Sequence, residues 1–177
     1  SVRGAGICAL NSNASIDNVE FYNNVSTDQG GAFYSGAYAA SNITRSVFHN
    51  NSSLYGGALK IQMVGSNGII HRVESCIFYQ NQASFGGAAQ LFNTQVDFVN
   101  CTFYNNTGIG NSAYLYDVTN AGFKNCIIWH PTSNNSFEVG SGNGPTVNNC
   151  IVKGNAVGTN VLDGQPAFYD SLNYDLR

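Results

Sequence analysis

One heptapeptide recurs along most of the chain, and it constrains the fold more than any other feature. Its clearest copy is NCTFYNN, at residues 100–106. Its relatives begin at residues 18, 45, 75, 125 and 149, and the anchor positions of successive copies are 27, 30, 25, 25 and 24 residues apart. The anchors are Phe21, Phe48, Phe78, Phe103, Ile128 and Val152. A unit that repeats at this period is the sequence signature of a solenoid.

A second motif, Gly-Gly-Ala, follows the first at residues 30–32, 56–58 and 86–88. The residues around both motifs alternate with period two and are rich in aromatic and β-branched types, which predicts two strands in each repeat. Pairing each strand with its equivalent one turn later satisfies the backbone hydrogen bonds. We therefore predict an all-β protein, a parallel β-helix of about six turns. It forms one domain over 1–177, with repeats over about 4–155 and a C-terminal capping segment over about 156–177, while the N-terminal turn is expected to be exposed.

The predicted turns stack equivalent residues into columns. Three columns are assigned to the inside of the coil or to its corners. The aromatic column is Phe21, Phe48, Phe78 and Phe103; the asparagine column is Asn24, Asn51, Asn81 and Asn106, interrupted by Pro131; and the cysteine column is Cys76, Cys101, Cys126 and Cys150, preceded by Val19 and Ser46. An asparagine at a turn bonds to local backbone and to the asparagines above and below it.

The cysteine column allows three interpretations: a metal site, a set of disulfides or plain core packing. Zinc sites usually take ligands from close pairs such as Cys-X-X-Cys, and the sequence has none. Disulfides between adjacent parallel strands are geometrically awkward. We interpret the column as core packing, and we expect Cys8, outside the column, to be an exposed thiol.

The residues on either side of each anchor must face outward if the anchor faces inward. One of these outward columns is an aromatic strip formed by Tyr22, His49, Tyr79, Tyr104 and Trp129. A surface patch of this kind is typical of a contact with another copy, a partner or a glycan. The alternative is cross-strand packing on the sheet surface, with a loop covering part of the strip.

Three segments are predicted to leave the coil as loops: 35–41, 64–71 and 131–145. The paired motifs, Phe-X-X-Asn followed by Gly-Gly-Ala, resemble the repeats of polymorphic outer-membrane protein passengers. Residues 165–177 resemble the closing segment of secreted pectate-lyase-like proteins. These resemblances imply a right-handed, extracellular coil used for adhesion, surface display or polysaccharide processing.

Composition and charge exclude several function classes. Charged residues make up 10% of the chain and the net charge is -3, so we expect no nucleic-acid partner. No apolar run approaches the roughly 20 residues of a membrane helix. Several Asn-X-Ser/Thr triplets favour an extracellular location. The glycosylation candidates are Asn13, Asn42, Asn105 and Asn134, whereas Asn24, Asn51 and Asn100 are expected to be too enclosed to modify.

Catalysis has little support in the sequence. The ten acidic residues do not fall in one column, although Asp97 and Asp117 are expected to approach each other. His49, His71 and His130 occupy different positions in their repeats. We assign no catalytic residue, metal or cofactor.

We expect an extracellular structural protein: either a glycosylated surface or filament subunit, or an adhesin stalk. We expect it to self-associate by end-to-end or lateral contacts. The alternative is a β-helix that binds or degrades polysaccharide.

Overall fold

A computed structural model of the chain describes residues 2–38, 40–63, 70–118, 120–154 and 158–168. Within these ranges the chain forms 21 short strands, numbered in chain order, and every pairing between them is parallel. The strands belong to four sheets, each made by equivalent strands of successive turns. The fold predicted from the repeats, a parallel β-helix of about six turns, is confirmed.

Sheet I contains the strands that follow the glycine motif. They are β1 (Ile7–Leu10), β4 (Phe33–Gly36), β8 (Leu59–Gln62), β12 (Ala89–Phe92), β16 (Ala113–Val118) and β19 (Phe137–Gly142). Sheet II contains β2 (Ala14–Asp17), β5 (Ser41–Thr44), β9 (Ile70–Glu74), β13 (Gln95–Val99), β17 (Asn120–Lys124) and β20 (Thr146–Asn148).

Sheet III contains the strands that carry the anchors. They are β3 (Glu20–Tyr22), β6 (Val47–His49), β10 (Ile77–Tyr79), β14 (Thr102–Tyr104), β18 (Ile127–Trp129) and β21 (Ile151–Val152). Sheet IV is shorter and contains β7 (Ser52–Tyr55), β11 (Gln82–Phe85) and β15 (Thr107–Ile109). The prediction of two strands in each turn was therefore incomplete, because sheets II and IV have no repeated motif of their own.

The anchors of sheet III stack along the axis of the coil. The rings of Phe21, Phe48, Phe78 and Phe103 lie parallel, with centroids 4.8 to 4.9 Å apart. Sheet II adds Phe98 and Phe123, whose rings stack at 4.8 Å. These side chains, with the inward residues of sheet I, form one continuous core. Val19 is 38% exposed despite its predicted inward position, because the first turn has a neighbouring turn on one side.

The Gly-Gly-Ala motif forms a corner that tolerates no side chain. Gly56 has φ +69°, and a Cβ there would lie 1.9 Å from the Leu59 carbonyl oxygen. A Cβ on Gly57 would lie 2.2 Å from the Gly87 carbonyl oxygen of the next turn. The first glycine thus supplies a left-handed backbone and the second allows the turns to approach each other.

All three predicted loops are shorter than expected. The predicted loop 35–41 overlaps β4 at Ser35 and Gly36 and β5 at Ser41. Strand β19 lies inside the predicted loop 131–145 and pairs with β16, since backbone pairing needs no side-chain motif and Phe137 packs on Phe123 at 4.8 Å. His71 belongs to β9, so the predicted loop 64–71 ends before Ile70. Residues 64–69 lie outside the described part of the chain.

The segment 158–168 contacts the last turns. Thr159 and Leu162 form parallel bridges with Asn148 and Ile151. The ring of Phe168 meets Tyr104 edge-on at 5.3 Å. The rest of the predicted capping segment, residues 156–157 and 169–177, lies outside the described residues, as does Asn155.

Candidate ligand-binding groove

The outer face of sheet I carries a groove that the sequence did not predict. Because side chains alternate across a strand, the residues between the inward pairs of β4, β8, β12 and β16 point outward. In register they form the column Tyr34, Lys60, Gln90 and Tyr114. The groove has a volume of about 330 Å³. It is lined by Gln29, Tyr55, Lys60, Gln62, Phe85, Gln90, Phe92, Tyr114 and Tyr116.

Two aromatic stacks lie in this groove. Sheet IV contributes Tyr55 and Phe85, whose rings stack at 5.4 Å, and Tyr114 meets Phe85 edge-on at 5.1 Å. Sheet I contributes Phe92 and Tyr116, which stack at 5.5 Å. Both stacks follow from the parallel register, which places aromatic residues of adjacent turns side by side.

Lys60 lies in the floor of the groove and is only 4% exposed. Its Nζ donates a hydrogen bond to Gln90 Oε1 and lies 5.0 Å from the centre of the Phe92 ring. Burial lowers the pKa of Lys60 to about 7, against the opposing effect of the Asp28 charge. No acidic residue in the described ranges forms an ion pair with it.

Gln29 supplies a second unusual group. Its Oε1 is buried and has no hydrogen-bond partner among the described residues. A buried carbonyl oxygen without a donor is destabilising. The groove therefore combines aromatic faces, amides, a cation and an acceptor that needs a donor. This combination suits a polar ligand with one apolar face.

The predicted aromatic strip lies on the outer face of sheet III. Tyr22 stacks on His49 at 5.5 Å, and His49 stacks on Tyr79 at 4.7 Å. Further along, the segment 165–168 covers the strip and encloses about 270 Å³ with Tyr104 and Trp129. The interpretation that a loop covers part of the strip therefore describes its C-terminal half. The same alternation applied to sheet I would have predicted the outward column Tyr34, Lys60, Gln90 and Tyr114, but not the part of the groove that sheet IV contributes.

The asparagine column forms a continuous hydrogen-bond ladder at one corner. Asn81 Oδ1 accepts from the backbone N–H and from Nδ2 of Asn51, at 3.1 and 2.9 Å. Asn81 Nδ2 in turn donates to Phe48 O at 2.8 Å and to Asn106 Oδ1 at 3.0 Å. Asn24 joins the same ladder through Asn51. Each side chain therefore satisfies backbone groups of the turns beside it.

His130 adds one more member to this ladder at the turn where Pro131 interrupts the asparagine column. Its Nδ1 accepts from the Asn106 backbone N–H at 3.2 Å, in the place of an asparagine oxygen. Its Nε2 lies 2.7 Å from Ser112 Oγ. Since Nδ1 is an acceptor, the neutral ring carries its proton on Nε2 and donates to Ser112. This buried Ser-His pair is structural, because Nε2 has no lone pair with which to activate the hydroxyl.

The cysteines of the column are buried and free, and Cys8 is exposed. Each buried Sγ lies 3.2 to 3.3 Å from the carbonyl oxygen two residues earlier. Burial raises the pKa of the Cys101 thiol. In the described part of the chain, no group of three or more His, Cys, Asp or Glu side chains is placed to hold a metal ion.

The two acids expected to approach each other have separate partners. Asp97, in sheet II, faces Lys124 at 3.6 Å. Asp117, in sheet I, accepts a hydrogen bond from Ser141 at 2.5 Å. Both contacts join adjacent turns, which indicates a structural role for each acid.

The glycosylation candidates differ in exposure. Asn13, Asn42 and Asn134 are exposed and Asn105 is half-buried. Asn51 is fully buried, as expected for a member of the ladder. The expectation that Asn100 is enclosed was wrong, because it lies at an exposed corner with φ 55°.

None of the described residues forms a helix with the length and apolar character needed to cross a bilayer.

A segment of 78 residues, 44% of this chain, is 37% identical to metabotropic glutamate receptor-like protein Q of Dictyostelium discoideum. The chain spans 6% of the length of that relative. No solved structure matches the chain significantly. The sequence model of the right-handed β-helix region matches residues 1–171. The chain belongs to the right-handed β-helix family.

Proposed function

We propose that this chain is an extracellular β-helix that binds carbohydrate in the groove on sheet I. The groove itself carries the proposal, because aromatic faces beside amide side chains suit a sugar, which has an apolar face and a rim of hydroxyl groups. Among the described residues that line the groove, none is acidic. Since glycoside hydrolysis needs a pair of carboxyl groups, we propose binding without cleavage.

A panel of soluble neutral and acidic oligosaccharides tests this proposal by isothermal titration calorimetry. We expect at least one to bind, and Tyr116→Ala to weaken that binding about tenfold or more. Tyr22→Ala is the matched control, because Tyr22 is an exposed tyrosine on the strip of sheet III. Equal losses in both variants, or no binding by any sugar, would contradict the proposal.

The proposed location is the cell surface. The exposed triplets at Asn13, Asn42 and Asn134 support it, as does the name of the Dictyostelium relative, a receptor-like protein. Antibodies against the purified chain are expected to label intact cells of the source organism. Labelling that requires permeabilised cells would contradict a surface location.

The proposed mechanical role is that of a rigid spacer or stalk that holds the groove. Two features support this role. The rings of Phe21, Phe48, Phe78 and Phe103 stack continuously, and the asparagine ladder joins the same turns by hydrogen bonds. A rod in which every turn bonds to the next resists bending.

We also propose self-association through the first turn. Within the described chain, strands β1, β2 and β3 have one neighbour each, and Ile7 and Leu10 are exposed on β1. Analytical ultracentrifugation should show a dimer or longer species that dissociates on dilution. Ile7→Lys, which adds a charge at this edge, should shift the population to monomer, while Ile109→Lys on β15 should not. A monomer at all concentrations would contradict self-association.

A further inference from the structure

The groove leaves two polar groups without the partners that a folded protein normally provides. The Lys60 ammonium has a neutral amide oxygen and an aromatic face as its neighbours and forms no ion pair with the described residues, so the Asp28 charge acts on it only from beyond ion-pair distance. The Gln29 Oε1 atom has no donor within the part of the chain that the structure describes. A buried cation without an anion and a buried acceptor without a donor are both destabilising. A ligand that supplies an anion and a donor together would satisfy both.

We propose that the groove selects a negatively charged sugar residue such as a uronic acid, which rests on the carbohydrate binding proposed above. The sugar carboxylate accepts from Lys60 Nζ, and a sugar hydroxyl donates to Gln29 Oε1. The C–H face of the ring packs against the aromatic stacks. Neutral sugars would satisfy Gln29 and the rings but would leave Lys60 without a counter-ion.

An acidic peptide is the main competing ligand. Extended peptides gain much of their affinity by adding a strand to a free sheet edge. Strands β8 and β12, in the floor of the groove, are each paired on both sides and offer no such edge. The groove presents side-chain amides and rings instead, which favours the sugar.

Calorimetry with two matched disaccharides tests the inference: one ends in glucuronic acid and the other in glucose. We expect the wild-type chain to bind the acidic disaccharide about tenfold more tightly, since a charge-assisted hydrogen bond replaces a neutral one. Lys60→Gln should remove this preference, so that this variant binds the two disaccharides with affinities within about twofold of each other. Raising the salt concentration should weaken only the acidic ligand's binding to the wild type.

Lys153→Gln is the matched control, because Lys153 also lies over an aromatic ring, that of Trp129 at 5.4 Å, outside the groove. It should keep the full preference. Circular dichroism and thermal unfolding check that each variant is folded, and Lys60→Met provides a second, apolar replacement that should also abolish the preference.

The outcomes separate the inference from the proposed function. If both disaccharides bind equally well and Lys60→Gln changes neither, charge selection is wrong while carbohydrate binding stands. If no sugar in the panel binds, both are wrong. If a glutamate-rich peptide binds in the groove and the disaccharides do not, both are also wrong and the groove is a peptide site.

Discussion

The asparagine ladder and the groove on sheet I contain similar polar side chains, but these side chains differ in how far their hydrogen-bonding groups are satisfied. In the ladder, Asn51, Asn81 and Asn106 are buried and satisfy one another and the backbone of adjacent turns. In the groove, Gln29 and Lys60 are held against apolar neighbours with part of their bonding capacity unused. In the ladder, satisfied polar groups hold the turns together, whereas in the groove we propose that the unsatisfied groups bind a ligand. His71 Nε2 and Thr94 Oγ1 are also buried without a partner among the described residues, but they lie outside the groove lining.

The largest expected effect comes from breaking the ladder. Asn81→Ala leaves the Asn51 backbone N–H, Asn51 Nδ2 and Phe48 O without their partner. Because each buried unsatisfied group costs about 1–3 kcal/mol, we expect the free energy of unfolding to fall by about 3–5 kcal/mol. Urea denaturation measures the loss. Asn42→Ala, at an exposed asparagine, should change stability by less than about 0.5 kcal/mol; similar losses in both variants would contradict the ladder's role.

Acid should break the ladder at its histidine. Burial, with a smaller effect of the Lys153 charge, lowers the pKa of His130 to about 3. The contribution of neutral His130 to the free energy of unfolding is therefore fully present above the unfolded-state pKa, which is near 6.5. This contribution is lost as the pH falls from there toward about 3, at about 1.4 kcal/mol for each pH unit. Burial lowers the pKa of His71 to about 4, so it adds a similar loss over its own range.

Comparing the pH dependence of unfolding in the wild type and His130→Asn isolates the ladder residue. Between pH 6.5 and 4.5, the free energy of unfolding of His130→Asn should fall by about 1–3 kcal/mol less than that of the wild type, because the asparagine side chain does not titrate. Other groups titrate alike in both chains and cancel in the difference. Equal slopes would show that His130 is not held neutral in the folded state.

A smaller effect is expected where the chain covers its own aromatic surface. Phe168→Ala removes the edge contact with Tyr104 and should cost about 0.5–1.5 kcal/mol. Trp129 is the single tryptophan and lies beside the covering segment. Its fluorescence should therefore shift to longer wavelength as water reaches the ring. Tyr38→Ala, at an exposed tyrosine, serves as the control. A fluorescence shift in Tyr38→Ala, or no shift in Phe168→Ala, would contradict the covering of Trp129 by the segment 165–168.

The smallest effect on stability is expected in the groove. Lys60→Met replaces a buried cation that forms no ion pair with the described residues by an apolar side chain of similar length. We expect the free energy of unfolding to stay within about 1 kcal/mol of the wild type or to rise. A loss as large as that of Asn81→Ala would mean that Lys60 belongs to the structural framework.

The sequence revealed the stacked framework because its columns repeat the same residue types. Phe48, Phe78 and Phe103, for example, pair directly in register. The strands of sheet II were not predicted, because β5, β9 and β13 share an alternation of inward and outward residues but no common motif. His130 was missed because an imidazole nitrogen replaces an amide oxygen one residue before the expected position. The groove depends on side chains from sheets I and IV, which only the folded coil brings together.

A crystal structure with the glucuronic-acid disaccharide would show directly where on the coil the sugar binds. We expect a sugar ring in the groove, with its carboxylate on Lys60 Nζ and a hydroxyl on Gln29 Oε1. A groove that stays empty while the sugar lies against Tyr22 and His49 on sheet III would contradict it.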